Sequence, residues 1–261
     1  MARRAPPIVP LDPVAAYDRI APVFAKLAEQ RKPYLDSIDR IVTAEVAPGT
    51  RSLLDVGAGD GARSRRIAQS RRISKLVLLE PSVAMQRNGT RDTGAVDPTT
   101  RSIRAEDLHL LEGEFEIITC LWNVLGHISK PADRLQVLRQ FARLLSPGGK
   151  ILIDLNHRYN ARQYGMLPTA LRFLHDCFVQ GEKNGDVMVS WNIAGTQCTT
   201  TGHVFTHREV QRLCRSSGLH IEKTFVVDYV TGQLRKWKFE GHLLYILRPA
   251  RVTEPRPPGS R

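Results

Sequence analysis

The chain has 261 residues, enough for one large α/β domain with an insertion but a tight fit for two full domains. Hydrophobic residues make up 42% of it and charged residues 25%, as in ordinary soluble globular proteins, and no apolar run approaches the ~20 residues of a membrane span. We therefore expect no membrane partner. No secretory signal is expected either, so a cytoplasmic protein is the default expectation.

The charge balance is strongly basic. The 38 Lys and Arg residues outnumber 26 Asp and Glu, which gives a net charge of +12 at pH 7 and permits binding to nucleic acid or another anionic surface. Five arginines lie within residues 63–72. A solvated helix face is favoured for this arginine cluster, because charge runs usually face water, but the sequence does not exclude a binding role.

The cysteines are few and scattered. Cys120, Cys177, Cys198 and Cys214 are far apart and form no C-x-x-C pair, which argues against a disulfide framework or a structural zinc site. We predict reduced, mostly buried thiols and no metal site.

Two helices are predicted before the first strand. Residues 1–12 are rich in proline and arginine and are predicted to be disordered. From Val14 to Leu27, apolar residues recur at helical spacing, and Pro33 opens a second helix.

The next part of the chain alternates apolar runs with helical patterns. The runs are SLLDV, KLVLLE, a weak RSIRA, FEIITCLW and KILIDL. Continuous apolar runs are typical of parallel strands buried on both faces, and their alternation with helices predicts a doubly wound, Rossmann-like sheet. The helix before the fifth strand ends at Ser146-Pro147-Gly148-Gly149.

Residues 156–205 break this alternation and predict a helical insertion followed by a hairpin-like pair of strands. Thr206 and Glu209 then form a capping box for the last helix, which stops at Gly218, and two strands complete a seven-stranded, mostly parallel sheet. One domain is thus predicted over 13–248. Residues 249–261 are expected to be a disordered basic tail.

A glycine-rich turn follows the first strand. Gly57, Gly59 and Gly61 let the backbone approach a ligand closely, but their spacing differs from the G-x-G-x-x-G of dinucleotide sites. Acidic Asp55 and Asp60 would repel a pyrophosphate and suit a ligand with a cationic amino group. At the end of the second strand, Glu80 can accept hydrogen bonds from both hydroxyls of a ribose.

LDVGAGDG and LLEPS together resemble the first two motifs of the class I S-adenosylmethionine-dependent methyltransferases. The resemblance covers roughly Tyr17 to Arg248. It includes YDRIAPVF, which is similar to the N-terminal lid helix of many members. It implies that S-adenosylmethionine is the cofactor, that Asp55 and the glycine loop hold its methionine part, and that Glu80 holds the ribose. The implied cofactor-binding residues are Tyr17, Asp55, Gly57, Ala58, Gly59, Gly61, Glu80, Pro81, Ala105, Glu106, Asp107, Trp122 and Asn123.

The third family motif differs. Members carry an Asp after the third strand that binds the adenine amino group, and Arg104 stands there in IRAEDLHL. Glu106 or Asp107 are candidates for this contact, with Ala105 giving a backbone contact. A solvated acidic turn is an equal alternative.

The acceptor pocket is expected at the carboxyl ends of strands four and five. WNVLGHI followed by IDLNHRYN partly resembles the glycine and sarcosine N-methyltransferases. The resemblance implies that Asn123 and His127 line the pocket, that Arg158 clamps an acceptor carboxylate and that Tyr159 orients the amine. His127 and Tyr159 are the catalytic candidates, and Tyr164 is a further substrate-binding candidate. A structural histidine and a purely structural role for the tyrosines remain alternatives.

The favoured function is methylation of a small amine or amino-acid-like molecule, at nitrogen rather than oxygen. An RNA methyltransferase is the alternative suggested by the basic charge. A non-catalytic, methyltransferase-like binding module is a further alternative, against which the intact Gly57, Gly59, Gly61 and Glu80 argue. The sequence leaves the acceptor and the oligomeric state open.

Overall fold

A mostly parallel eight-stranded sheet forms the centre of the protein in the computed structural model, which describes residues 9–89, 97–179, 181 and 183–250. The strands are β1 (Ser52–Val56), β2 (Lys75–Leu79), β3 (Thr99–Arg101), β4 (Phe115–Cys120), β5 (Leu145–Leu155), β6 (Asp186–Ile193), β7 (Thr196–His203), β8 (Leu219–Val227), β9 (Leu234–Arg235) and β10 (His242–Pro249). The α-helices are α1 (Pro13–Ile20), α2 (Phe24–Gln30), α3 (Lys32–Glu45), α4 (Ala62–Arg71), α5 (Val83–Gly89), α6 (Pro131–Leu144), α7 (Ala161–Tyr164), α8 (Met166–Phe178) and α9 (His207–Ser216).

The sheet has the order β3-β2-β1-β4-β5-β10-β8-β9, and β6 and β7 form a separate two-stranded ribbon. Strands β1 to β5 are mutually parallel, whereas β10, β8 and β9 each run antiparallel to the preceding strand in this order. Neighbouring residues of β1 belong to opposite cores: Leu54 lies in the cluster with Phe141 of α6, and Leu53 in the cluster with Val42 of α3. Because helices cover both faces, the prediction of a doubly wound sheet is confirmed.

The predicted count of seven strands is wrong by one, since β9 adds an eighth. This strand has two residues paired with Val226 and Val227, too few to show any periodicity. The third strand was also misplaced. It covers Thr99–Arg101 rather than RSIRA, and the segment Ala105–Leu110 forms a 3-10 helix.

The single first helix predicted from Val14 to Leu27 is also wrong. The structure has α1 and α2 separated by a 3-10 turn at Ala21–Val23, with Pro22 inside it. Proline has no N–H to donate and its ring clashes with the preceding turn, which interrupts a helix.

The predicted insertion is present as α7, α8, β6 and β7, and the capping box between Thr206 and Glu209 begins α9 as expected. Residues 1–8 and 251–261 lie outside the described residues. Within the predicted tails, the Leu11 N–H donates to the Thr199 carbonyl at 2.8 Å, and Pro249 ends β10.

The described cysteines are free thiols. Cys120, Cys198 and Cys214 are buried and Cys177 is exposed, as the prediction of mostly buried thiols requires. None of the helices in the described ranges is long and apolar enough to cross a membrane.

The arginine cluster joins two helices. Arg63 and Arg66 of α4 both pair with Asp39 of α3, at 2.6 and 2.9 Å, and the Arg71 guanidinium donates to the Thr43 carbonyl at 2.6 and 3.0 Å. The part of the cluster that makes these contacts therefore stabilises the packing of α4 on α3.

Helix α8 is fixed to the segment that follows β5 through Asp176. Its carboxylate accepts from Arg158 Nε at 2.5 Å, from Arg158 Nη2 at 2.9 Å and from the Tyr159 hydroxyl at 2.7 Å. Both members of the ion pair are nearly buried, with 10% of each side chain exposed. Although burial acts in the other direction, these hydrogen bonds lower the pKa of Asp176 to about 2.

We expect Asp176→Asn to lower the free energy of unfolding by about 1.5–3 kcal/mol, the range for a hydrogen bond to a charged group. Because the pKa of Asp176 is lowered on folding, the contribution is present above the ordinary aspartate value of 3.8 and is lost as the pH falls towards about 2. Chemical denaturation at several pH values measures both effects.

Asp36→Asn is the matched control. The Asp36–Lys32 pair has side chains 47% and 55% exposed, so its loss should change stability by less than about 0.5 kcal/mol. Equal effects of the two substitutions would contradict the structural role of Asp176.

Candidate active site

A cavity of about 770 Å³ opens at the carboxyl ends of β1, β2 and β4. Its floor comes from the glycine loop and the segments that follow β2, β3 and β4, and residues of α1, α2 and α3 cover it. Of the predicted cofactor-binding residues, this wall includes Tyr17, Asp55, Gly57, Ala58, Gly59, Glu80, Pro81, Ala105, Glu106 and Trp122.

The glycine loop has a backbone conformation that requires glycine. Gly57, Gly59 and Gly61 have φ of 73°, 62° and 71°, in the left-handed region. A Cβ at Gly57 would collide with the Val124 side chain. Gly61 does not line the cavity; it is the residue before α4.

Glu80 ties the end of β2 to the glycine loop. Its carboxylate accepts from the Gly59 N–H and from the Ser82 N–H, each at 2.8 Å. Burial is the main cause that raises the pKa of Glu80 to about 7, and the nearby Asp55 and Asp18 act in the same direction. A neutral carboxylic acid and a carboxylate are therefore both populated near neutral pH.

Asp55 lies beneath the loop and is buried. The hydroxyls of Ser64 and Thr119 donate to its carboxylate at 2.5 and 2.7 Å. These bonds lower the pKa of Asp55, but burial has the larger effect and raises it above the ordinary value. The carboxylates of Asp55, Glu80 and Glu106 thus give the end of the cavity beside the glycine loop an acidic wall.

A half-buried aromatic group stands on the wall formed by α1 and the segment after β4. The Tyr17 hydroxyl lies 3.2 Å from His127 Nε2, and His127 Nδ1 lies 3.3 Å from the Thr201 carbonyl. With the proton on Nδ1 donated to that carbonyl, Nε2 accepts from Tyr17. Burial lowers the pKa of His127 below its usual 6.5, so the imidazole is neutral at pH 7.

Trp191 of β6 completes this aromatic group and was not identified from the sequence. Its ring centroid lies 5.7 Å from that of Tyr17 and 6.5 Å from that of His127. Phe24, which packs on Trp122 at 5.6 Å, was likewise not singled out, although it lies in the YDRIAPVF stretch. Nothing local marks Trp191, because it reaches the site only through the fold of the insertion.

The residues after β3 have separate roles. Arg104 lines the cavity and pairs with Asp12, the N-cap of α1, at 2.8 Å. Ala105 and Glu106 lie beside it on the cavity wall, whereas Asp107 does not. The third-motif position therefore contacts the helix that covers the cavity.

Asn123 lies behind the wall and connects segments. Its amide donates to the His203 carbonyl at 3.2 Å, and its side-chain oxygen accepts from the Asn156 N–H at 3.0 Å. With 5% exposure it joins β5, β7 and the turn after β4 and does not face the cavity.

The structure does not bring Arg158, Tyr159 and Tyr164 to the cavity. Arg158 and Tyr159 both bind Asp176, and the Tyr164 ring lies 4.8 Å from the Arg172 guanidinium. The Arg158 guanidinium was expected to bind the carboxylate of an acceptor, but in the structure it binds the carboxylate of Asp176.

The comparisons with known proteins agree with this geometry. A family model described as a methyltransferase domain matches residues 54–151. The ubiquinone biosynthesis O-methyltransferase of Pseudomonas paraeruginosa is 33% identical over 117 residues, which are 44% of this chain and 47% of that protein. The chain thus contains a methyltransferase domain over residues 54–151, which supports the predicted class I S-adenosylmethionine-dependent family.

Two N-methyltransferases are also similar to the methyltransferase domain. The dTDP-4-amino-2,3,4,6-tetradeoxy-D-glucose N,N-dimethyltransferase of Saccharopolyspora spinosa is 36% identical over 108 residues, 41% of each chain. The glycine/sarcosine N-methyltransferase of Parasynechococcus marenigrum is 30% identical over 112 residues, 41% of this chain and 38% of that protein. The matches to these curated relatives span less than half of each relative's length.

Solved structures share the fold. The CcbJ methyltransferase from Streptomyces caelestis matches with a TM-score of 0.68 at 14% identity, over 90% of this chain and 98% of that one. The magnesium protoporphyrin IX methyltransferase from Synechocystis, solved with bound S-adenosylhomocysteine, matches with a TM-score of 0.54 at 15% identity, over 89% and 93%. These structures confirm the predicted fold, and the family model and the bound ligand of the Synechocystis enzyme support the predicted cofactor.

The charge of the cavity suits S-adenosylmethionine. The sulfonium and amino groups of this cofactor are cationic and it carries no phosphate, so the carboxylates of Asp55, Glu80 and Glu106 suit it better than they suit the pyrophosphate of a dinucleotide. The backbone turn at Gly59 leaves room for close approach, since a Cβ there would meet only Met85 at 3.4 Å and Phe24 at 3.8 Å.

We expect the affinity for S-adenosylhomocysteine to rise between roughly pH 6 and 8, because ionised Glu80 accepts from two ribose hydroxyls and the protonated acid does not. Since the pKa of Glu80 is about 7, most of the rise should fall around that value. Glu80→Gln should weaken binding by about 1–3 kcal/mol at pH 8 and remove the pH dependence.

Isothermal titration across this pH range is the measurement, with NAD as the ligand control. Glu112→Gln, at an exposed acid outside the cavity, should leave both the affinity and its pH dependence unchanged. A wild-type affinity that does not vary with pH would remove Glu80 from the ribose site.

Proposed function

We propose that the chain transfers a methyl group from S-adenosylmethionine to a small-molecule acceptor, at an amine nitrogen. The observation that carries the proposal is the hydrogen-bonded Tyr17–His127 pair, which stands on the wall of the same cavity as the glycine loop and Glu80. A donor site and a proton-accepting pair are thus enclosed together.

In this proposal Glu80 holds the ribose, and Asp55 with the glycine loop holds the amino-acid part of the cofactor. Ala105 and Glu106 lie where the adenine is expected, in place of the family's aspartate. Trp122 and Phe24 cover the cofactor from the segment after β4 and from α2.

The bound cofactor supplies an electrophilic methyl group on its sulfonium, which an acceptor attacks in line. The protein's task is to place the acceptor, exclude water and take up the proton that the amine loses. The acceptor N–H donates to the Tyr17 oxygen while the Tyr17 hydroxyl proton moves to His127 Nε2. Because His127 is neutral at pH 7, its Nε2 is free to take that proton.

The rings around the cavity favour cationic ligands. Tyr17, Phe24 and Trp122 line the cavity, and aromatic rings attract a sulfonium, an ammonium or a methylated amine. This favours nitrogen as the acceptor atom, as does the similarity to the sugar N,N-dimethyltransferase and to the glycine/sarcosine N-methyltransferase.

The covering helices support a small acceptor over RNA. Residues of α1, α2 and α3 stand over the cavity, and Arg63, Arg66 and Arg71 of the arginine cluster are engaged with α3. A non-catalytic module would not need the Tyr17–His127 pair beside the cofactor site.

The acceptor class is tested by incubating the full chain with S-adenosylmethionine and panels of small amines, amino acids, phenols and transfer RNA. S-adenosylhomocysteine should form with members of the amine panel, and NMR of the product should place the new methyl on nitrogen. Turnover confined to phenols would establish O-methylation, and turnover confined to RNA would overturn the small-molecule proposal.

We expect Tyr17→Phe and His127→Phe each to lower kcat by about 100-fold, since general base assistance contributes roughly 10²–10⁴. The affinity for S-adenosylhomocysteine should remain within the wild-type range in the variant that keeps the ring, Tyr17→Phe. In the wild type, kcat should fall at acid pH as His127 protonates, with the midpoint below 6.5 because its pKa is lowered.

His109→Gln is the control, because His109 is exposed and outside the cavity. The acid limb of the kcat profile should persist in this variant and vanish in His127→Phe. A profile unchanged by His127→Phe would assign the proton transfer to solvent.

A further inference from the structure

Helix α8 of the insertion has its polar face turned inward. The side chains that are buried or half-buried are Thr169, Arg172 and Asp176, at helical spacing. Apart from His175, the exposed side chains are apolar or small over the whole length of the helix. They include Met166 (72% exposed), Leu167 (70%), Leu171 (58%), Phe173 (54%), Leu174 (54%) and Phe178 (86%).

Specific contacts hold this orientation. Asp176 binds Arg158 and Tyr159, and it also accepts from the Asn184 amide at 3.2 Å. The Arg172 guanidinium lies over the Tyr164 ring. Rotating the helix to bury its apolar face would break these bonds and leave a buried charge unpaired, so the exposure is built into the fold.

A second pair of exposed apolar side chains lies on an element that also packs on α7. The 3-10 helix Lys238–Glu240 contacts α7, as α8 does. Phe239 belongs to this 3-10 helix and Trp237 precedes it; they are 45% and 65% exposed, and their stacked rings have centroids 6.4 Å apart. We call the exposed apolar side chains of α8 together with Trp237 and Phe239 the α8 surface. Exposed apolar patches rimmed by polar residues mark sites of association.

Basic side chains accompany the α8 surface. Lys183 follows α8, Lys236 and Lys238 flank Trp237, and all three are exposed. The acidic residue of α8, Asp176, is occupied by Arg158. A second copy placed on this surface would bring like charges together in a chain of net charge +12, whereas an anionic lipid surface would meet opposite charge.

We propose that the α8 surface docks on an anionic lipid bilayer. Leucine, phenylalanine and tryptophan enter the boundary between headgroups and acyl chains, and the lysines beside them attract anionic headgroups. The expectation of no membrane partner rested on the absence of a ~20-residue apolar run, and a helix that lies in the interface needs no such run. This inference does not depend on the identity of the methyl acceptor.

Co-sedimentation of the full chain with vesicles tests the proposal. The vesicles are phosphatidylcholine with phosphatidylglycerol, and phosphatidylcholine alone. The wild type should bind the anionic vesicles, binding should weaken as salt is raised, and Leu171→Gln/Phe178→Gln should lower the partition constant by about tenfold or more. Lys236→Gln/Lys238→Gln should reduce both binding and its salt dependence.

Leu110→Gln is the matched control, because Leu110 is 61% exposed on a different element and lies outside the α8 surface. This variant should bind like the wild type. Thermal unfolding and S-adenosylhomocysteine titration verify that each variant is folded.

Several outcomes overturn the proposal. These are no sedimentation with anionic vesicles, equal binding to pure phosphatidylcholine, or undiminished binding by Leu171→Gln/Phe178→Gln. A further outcome comes from analytical ultracentrifugation. If the wild type is a dimer, the double variant is a monomer and neither binds vesicles, the α8 surface is an interface with a second copy.

Discussion

The hydrogen bond from the Gly59 N–H to the Glu80 carboxylate is the contact on which the cofactor end of the cavity depends. It joins the turn after β1 to the end of β2, and it forms because Val56 and Leu79 are in register in the parallel pair. The left-handed backbone at Gly59 turns its N–H toward β2. A shift of one residue between the strands would separate the glycine loop from Glu80. The register of β1 and β2 therefore also determines the geometry of the cavity at this end.

The covering helix is held mostly by packing. Ala16 and Ile20 of α1 are fully buried in a small cluster with Ile193 and Cys198 of the β6–β7 ribbon. The ion pair between Asp12 and Arg104 is about half exposed, and such pairs contribute about 0–1 kcal/mol. The ribbon of the insertion therefore positions Tyr17 for its bond to His127, although it belongs to neither cofactor motif.

The insertion combines two opposed demands. Its ribbon is buried against α1 and helps to enclose the cavity, while α8 turns its polar residues inward and leaves its apolar face uncovered. Asp176 reconciles them, because one buried carboxylate binds Arg158 and Tyr159 and fixes the orientation of the whole helix. Arg158 and Tyr159, two of the residues expected to bind an acceptor, thus hold α8 in place.

The sequence by itself determined the parallel strands, the glycine loop and the acid after β2, because each depends on neighbours within a few residues: runs of apolar side chains, glycines in a turn, a carboxylate at a strand end. Short or irregular elements could not be predicted from the sequence. The strand β9 has too few residues for a period, and the break at Pro22 was hidden by apolar spacing that continues across it.

Only the tertiary structure decided which polar groups meet. Arg158 and Tyr159 follow a strand end, as pocket residues do. In the folded chain, however, the Asp176 carboxylate of α8 accepts hydrogen bonds from both of them. His127 acquires its partner from Tyr17, 110 residues away, and an aromatic neighbour from Trp191. The sequence determines which chemical groups a side chain carries. Whether those groups are available to a ligand depends on whether the folded chain already pairs them with another charge or hydrogen-bonding group.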